Sequence, residues 1–249
     1  MTKHSINSVI CCLILTIIFK TVSAQNDADG ISYKQAVFNL INHFDQGIGE
    51  ESRLYNGFGY NYYDPNIKGN AYLDDVNRWR NGTVDYDGQT FENVPLIYDI
   101  NADQIIVSLY NHNSPSRLVS DKVASFNLSG RHFVRVPNNS SGIKSGFYEQ
   151  LYGGKSQVLN KYEKAIHTTN SSSGLERYFM PVYDYQEYYI RKDDKYYSIG
   201  DGSLSAVLEV FKDKKKELRQ YIKDNKIQFN SLHELALVNI ATFYDHLTN

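Results

Sequence analysis

Few residues in this chain have types and spacing that invite chemistry, and each such group lacks a partner its chemistry needs. Gly153-Gly154-Lys155-Ser156 has the ending of a phosphate-binding loop. That loop needs a further glycine, four residues removed from the Gly-Lys pair, so that its backbone can wrap a phosphate. Glu149 stands there, and the flanks read as two strands of a hairpin rather than a strand feeding a helix. Asp99, Asn101 and Asp103 alternate like the first ligands of a calcium loop, but Gln104 and Tyr110 replace its sixth-position glycine and twelfth-position glutamate. A turn between strands fits them better. The seven histidines are scattered, with no pair at helical spacing around a glutamate, and no Gly-x-Ser-x-Gly elbow exists. His132, beside Phe133, reads as a structural histidine. Glu50-Glu51 and Asp74-Asp75 pair carboxylates only as chain neighbours, whose side chains diverge. Acids from distant parts of a chain remain a route to hydrolysis. The sequence therefore implies no catalytic residue, no metal site and no cofactor. Tyr55, Tyr60, Tyr62 and Tyr63 are the ligand-binding candidates, as a platform of rings for stacking a sugar. Packing and loop anchoring are the competing explanation.

Both cysteines, Cys11 and Cys12, lie in the first two dozen residues. Lys3 and His4 precede an apolar run from Val9 to Phe19 broken only by Thr16, and Val22 and Ala24 put small residues before Gln25. That order is read as a cleavable signal peptide, residues 1–24. The run is about half the length a membrane-spanning helix needs. Ile10 in front of Cys11 speaks against a lipid-anchored cysteine. The expectation is an exported protein, in the periplasm or outside the cell, whose mature chain 25–249 has no cysteine and so no disulfide or thiolate chemistry. Of 26 basic and 28 acidic side chains, Lys3 and Lys20 leave with the leader, so 24 face 28 and the mature charge is −4. Nothing there suits nucleic acid. The cluster Lys212, Lys214, Lys215 and Lys216 reads as a solvated helix face. No later segment is apolar enough to span a bilayer.

The elements that would position any site follow from periodicity. Ala36, Val37, Leu40, Ile41 and Phe44 have helical spacing, which predicts a helix from Ile31 to Phe44. From Gly82 the pattern changes to short strands separated by turn residues: Asp87-Gly88, Asn101-Ala102-Asp103, Ser129-Gly130, Gly153-Gly154 and Asp193-Asp194. In the stretch Val119 to Leu128, Val123, Ser125 and Asn127 alternate with Ala124, Phe126 and Leu128. Pro137 to Ser145 and Thr168 to Gly174 are rich in Ser, Asn and Gly and read as exposed loops. After Gly202 the period is helical again: a helix capped by Ser203, a second from Asp213 to Asn225, and a third opened by a capping box of Ser231 and Glu234. Asn81, Asn127, Asn138, Asn139 and Asn170 each begin an Asn-x-Ser/Thr triplet, a glycosylation signal only in a eukaryotic secretory pathway. The fold expected is α+β in a single domain, 25–249. A curved antiparallel meander of about eight to ten strands spans 82–200, able to curl into a half-barrel, with an N-terminal helix and C-terminal helices (203–247) packed on it.

Several runs carry a resemblance: Leu54-Tyr55-Asn56-Gly57, GTVDYDGQTFENVPLIYDINADQIIV from Gly82, DKVASFNLSGRHFVRV from Asp121, SGFYEQLYGGKSQVL from Ser145 and DKKKELRQYIKDNKIQF from Asp213. In these the chain resembles a family of exported proteins from Bacteroidota-type bacteria with no assigned activity. The resemblance implies a compartment and supplies no site residues. With no catalytic constellation and a tyrosine-rich surface, the expected role is a non-catalytic envelope module that binds a protein or polymer. The alternatives are a carrier holding a lipid or other apolar ligand in the half-barrel, and a hydrolase with dispersed carboxylates.

Overall fold

The computed structural model describes residues 53–108, 114–138, 140–172, 174–182, 186–229 and 233–248, which belong to one compact unit, 53–249. The expected leader, the helix from Ile31 to Phe44, the pair Glu50-Glu51 and the Ser231 cap lie outside the described residues. The strands are β1 (Phe58–Gly59), β2 (Arg80–Tyr86), β3 (Gln89–Asp99), β4 (Gln104–Ser108), β5 (Pro115–Arg117), β6 (Val123–Leu128), β7 (Arg131–Val136), β8 (Gly146–Gly153), β9 (Gln157–Lys161), β10 (Lys164–Ser171), β11 (Gly174–Pro181), β12 (Glu187–Lys192) and β13 (Lys195–Gly200). Three α-helices follow: α1 (Leu204–Val210), α2 (Lys215–Asp224) and α3 (His233–Thr248).

Eleven strands form one open antiparallel sheet in the order β1-β5-β4-β3-β2-β6-β7-β8-β9-β12-β13, while β10 and β11 pair only with each other. The chain is thus α+β and mostly antiparallel sheet. Consecutive strands are neighbours because the turns between them are two residues long and take φ > 0: Asp87-Gly88 (51° and 79°), Ser129-Gly130 (55° and 76°) and Asp193-Asp194 (50° and 59°). Mirror-image turns of this kind match the twist of the strands they join.

The sheet exceeds the eight to ten strands expected because the chain uses both sides of β2. The run β2–β5 extends towards one edge, then β6 returns beside β2 and the meander continues the other way. The stretch from Gln157 to Ile166 breaks at Tyr162-Glu163, so that β9 stays in the large sheet and β10 leaves it. Residues 168–174, expected as an exposed loop, are mostly strand, since the β-branched Thr168 and Thr169 continue β10 before the turn. In the stretch from Val119 the first residues form a 3₁₀ turn, Ser120–Lys122. A bulge there pairs Tyr86 with Val123 but Asp85 with Ser125, which turns Ala124 outward and brings Val123 to the same core as Phe126 and Leu128.

One face of the sheet, the inner face, carries two apolar clusters. In the first, Tyr98, Phe126, Phe133 and Phe147 come from β3, β6, β7 and β8. Phe126 and Phe133 stack at 4.6 Å, and the Tyr98 ring meets all three edge-on. These positions tolerate truncation poorly, since losing a buried aromatic ring costs about 3–5 kcal/mol. Although β2, β6 and β7 lie between β3 and β8 in the sheet, the far end of β3 reaches back to β8. The Asp103 carboxylate accepts from the Tyr98 hydroxyl (2.6 Å), the Phe147 N–H (3.2 Å) and Lys161 Nζ (3.0 Å), and the Lys164 N–H donates to the Ile100 carbonyl (3.2 Å). In the second cluster, Val158, Ile190 and Ile199 are covered by Leu208, Phe211, Leu218, Leu237 and Ile240 of the helical segment. Ser203 caps α1 as expected, its hydroxyl accepting from the Ala206 N–H.

Candidate functional site

The four tyrosines singled out by the sequence do not form one platform. Leu54 and Tyr55 sit in a 3₁₀ turn, Arg53–Tyr55, that packs both on the first inner cluster. Gly57 then passes so close to the Arg117 carbonyl of β5 that any side chain there would collide with it. This brings Tyr60 and Tyr63 to the outer face of β3, where Ile97 and Asp99 point. Asp99 is fully buried and accepts four hydrogen bonds: from the hydroxyls of Tyr60 and Tyr63 (2.9 Å each) and the N–H groups of Asn101 (3.0 Å) and Ala102 (2.9 Å). The alternating Asp99-Asn101-Asp103 is therefore a turn whose first carboxylate holds its own backbone and two rings. Burial, with the nearby carboxylate charge, pushes both tyrosine hydroxyls far above the usual 10.0. Tyr63 packs edge-on against Phe179 of β11. Tyr62 alone faces water, 56% exposed. Packing and anchoring explain three of the four.

The Gly153-Gly154-Lys155-Ser156 turn already holds an anion, and it is internal. The Asp245 carboxylate of α3, nearly buried, accepts the Ser156 N–H through both oxygens (3.0 and 2.9 Å) and the Tyr152 hydroxyl (3.0 Å). Lys155 Nζ donates to the Thr248 carbonyl at 2.7 Å. The likeness to a phosphate loop marks the dock for the C-terminal helix.

Between the two inner clusters runs a polar belt that no sequence motif announces. Glu149, Asn160 and Tyr188 lie side by side across β8, β9 and β12. Tyr162 donates to Glu149 Oε2 (2.7 Å), and the Tyr188 hydroxyl lies 2.5 Å from Gln186 Oε1 and 3.2 Å from Glu234 Oε1. Burial raises the Glu149 carboxyl above its usual 4.5, and the Glu234 charge adds to the rise, opposed by the Tyr162 hydroxyl. His233 Nδ1 is 3.0 Å from the Phe229 carbonyl, so that nitrogen carries the proton. Nε2 is pressed towards Gly202, where φ is +74° and a side chain would strike the ring. Asn160 Oδ1 and His233 Nε2 are buried without a hydrogen-bond partner. Among the described residues no three His, Cys, Asp or Glu side chains group as a metal site.

One element open to a partner is the β10–β11 hairpin. The Val182 N–H donates to the Glu163 carbonyl at 3.0 Å, which fixes that pair as hydrogen-bonded. Alternation along an antiparallel ladder then makes Ala165–Met180, His167–Tyr178 and Thr169–Glu176 hydrogen-bonded pairs as well. The N–H and C=O groups of Ile166, Thr168 and Asn170 accordingly point away from β11. The same alternation turns Arg177 and Phe179 outward on the opposite edge, where Lys68 meets them: its N–H donates to the Arg177 carbonyl (2.9 Å), and its carbonyl accepts the Phe179 N–H (3.0 Å). On the β10 edge the Lys164 N–H donates to Ile100, and from Ile166 to Asn170 no outward backbone group is bonded to a described residue. No strand among the described residues covers Ile166 to Asn170.

No family model matches this chain, nor does any curated protein or solved structure. Among the described residues no helix is long and apolar enough to cross a membrane. Sequence reasoning missed the hairpin because Ser and Asn near its turn weighed towards a loop. The usable signal was Thr168-Thr169 followed after a polar turn by Leu175, Tyr178 and Phe179, residues that favour strands.

Proposed function

We propose that this chain is an exported, non-catalytic binding module of the cell envelope, akin to the Bacteroidota-type proteins its motifs resemble, and that it captures an extended protein segment by strand addition to β10. The observation that carries this reading is the edge from Ile166 to Asn170, which no described strand covers. Native sheets blunt such edges with lysine, proline, bulges or covering segments. Between Ala165 and Ser171 the strand has no charged residue and no proline, and its pairing with β11 shows no register shift. Its outward backbone groups would give a partner strand main-chain hydrogen bonds, and the exposed side chains of Ile166 and Leu175, on one face of the hairpin, would give it apolar contacts. The contacts from the end of β3 to β8 support the half-barrel curvature expected of the sheet. The interior of that curl is filled by Tyr98, Phe126, Phe133 and Phe147, which favours a binding module over a carrier of lipid.

The test uses Thr168→Pro. The Thr168 N–H points away from β11, so proline there removes a donor from the free edge without breaking a bond of the hairpin. Peptides selected from a displayed random library on the mature protein should bind at least tenfold more weakly to Thr168→Pro, with Thr168→Val binding as wild type. Selected peptides indifferent to Thr168→Pro would sink the reading. Export is checked apart from this: the amino terminus of protein recovered from the envelope or medium should be Gln25, and a chain retained in the cytoplasm with Met1 intact would refute it.

A further inference from the structure

The outer face of the sheet at the opposite end from Asp99 is partly roofed by the segment from Ser140 to Lys144. The Tyr196 N–H donates to the Ser141 carbonyl (3.3 Å), Gly142 takes a φ of +84° against the Tyr196 carbonyl, and Ile143 packs on the outer apolar cluster. Beneath this roof is a groove of about 550 Å³. Its floor is set by register: Gln157 of β9 lies directly opposite Arg191 of β12, which lies directly opposite Tyr196 of β13. With strands about 4.8 Å apart, that row spans roughly 10 Å. Gln150 of β8 lies over Gly153, whose missing side chain leaves room for it; a Cβ there would come within 2.9 Å of its amide. Gly153 is in turn paired with Gln157, so the two amides are neighbours.

We infer that this groove is a binding site for a neutral, hydroxyl-rich oligosaccharide, a second site separate from the β10 edge. The Gln150 and Gln157 amides make no hydrogen bond with any described residue, although both line the groove. Each offers two donors and a carbonyl acceptor, the complement of adjacent hydroxyls, which both donate and accept. The groove's charges are already balanced: Arg135 is bound to Asp121 (2.8 Å) and Arg191 to Asp194 (2.5 Å). A phosphate or polyanion would need those guanidiniums free. A peptide finds little main-chain purchase on this floor: β9 and β12 are interior strands whose backbone groups are spent on the ladder, and the outward Tyr196 N–H of the edge strand β13 is taken by the Ser141 carbonyl. The Tyr196 ring, with the Arg191 guanidinium 6.0 Å from its centre, supplies the flat surface on which a sugar ring can lie.

The experiment is a glycan array of neutral and acidic oligosaccharides probed with the mature protein, followed by calorimetric titration of the best neutral one. Gln150→Ala and Gln157→Ala should each weaken binding about tenfold, as expected when a hydrogen bond or two to the ligand is lost. The double variant should show no measurable binding, with an unchanged melting temperature because neither amide supports the fold. Thr168→Pro should leave saccharide affinity as in wild type. Binding to acidic glycans alone, to none, or with equal affinity to the double variant overturns the inference.

Discussion

Replacing Asp99 by asparagine should cost this protein a large part of its stability while leaving the shape of the side chain unchanged. The carboxylate, fully buried, accepts two tyrosine hydroxyls through one oxygen and two backbone N–H groups through the other. Asparagine keeps one acceptor oxygen and turns an NH₂ group towards donors on the other side. Whichever way the amide settles, about two hydrogen bonds to a charged group are lost, at roughly 1.5–3 kcal/mol each, and their donors stay buried. The expected loss is therefore about 3–6 kcal/mol, against a total of about 5–15 kcal/mol for an ordinary domain. For a chain of this size it should lower the melting temperature on the order of 10 °C. Circular dichroism and urea unfolding of wild type, Asp99→Asn, Tyr63→Phe and Tyr62→Ala would measure it. Tyr62→Ala should leave stability within about 0.5 kcal/mol, as substitutions of exposed side chains do. Asp99→Asn as stable as wild type, or Tyr62→Ala as damaging as Asp99→Asn, would refute the assignment of Tyr60 and Tyr63 to anchoring.

Asp245→Ala should cost about 2–3 kcal/mol by leaving the buried Ser156 N–H unpaired, and hydrogen exchange should show α3 opening ahead of the sheet. Addition of ATP should shift neither melting nor exchange, and protection of the Ser156 turn by nucleotide would contradict the internal dock. Glu149 should behave in the opposite sense. Its folded carboxyl titrates above the usual 4.5, so its protonated form favours the fold, and that contribution fades as pH rises through the folded value. Glu149→Gln, which keeps an acceptor for Tyr162, should therefore be more stable than wild type at pH 7, with the gain shrinking below pH 4.5. A gain that grows with acid would refute the burial argument. In alkali, Tyr60, Tyr63, Tyr98, Tyr162 and Tyr188 are all held above their usual 10.0. Their support for the fold is complete below pH 10 and lost above it, so their absorbance at 295 nm should appear only together with unfolding.

How much of this was legible depended on whether the determining contacts were local. The turns Asp87-Gly88, Ser129-Gly130 and Asp193-Asp194 are set by residues that accept φ > 0, and all three were placed correctly. The Ser203 cap is equally local. The belt was invisible because Glu149, Asn160 and Tyr188 are brought together by register across three strands, and register is a property of pairing rather than of any one segment. The flanks of Gly153-Gly154-Lys155-Ser156 are the hairpin strands that the sequence predicts, yet Asp245, about ninety residues away, could not be foreseen as the turn's partner. The Ala124 bulge misled in a smaller way, since one extra residue exchanges the faces of everything before it.

The same dependence on register separates a free edge from a merely exposed strand. Exposure of β10 says only that its side chains meet water. Which of its backbone groups are unspent follows from a single hydrogen bond at the base of the hairpin, Val182 to Glu163, propagated by alternation. The two edges of the hairpin serve as an internal control. The rule predicts outward groups on Arg177 and Phe179, and Lys68 is found bonded to both. Applied to β10, the rule leaves Ile166, Thr168 and Asn170 with unspent donors and acceptors, and His167 and Thr169 with none. Proline at 167 should therefore damage the hairpin itself, while proline at 168 should damage only what binds to it. If instead proline at 168 melts the hairpin and proline at 167 does not, as read by exchange at Tyr178 and Glu176, the free edge lies on the other set of groups.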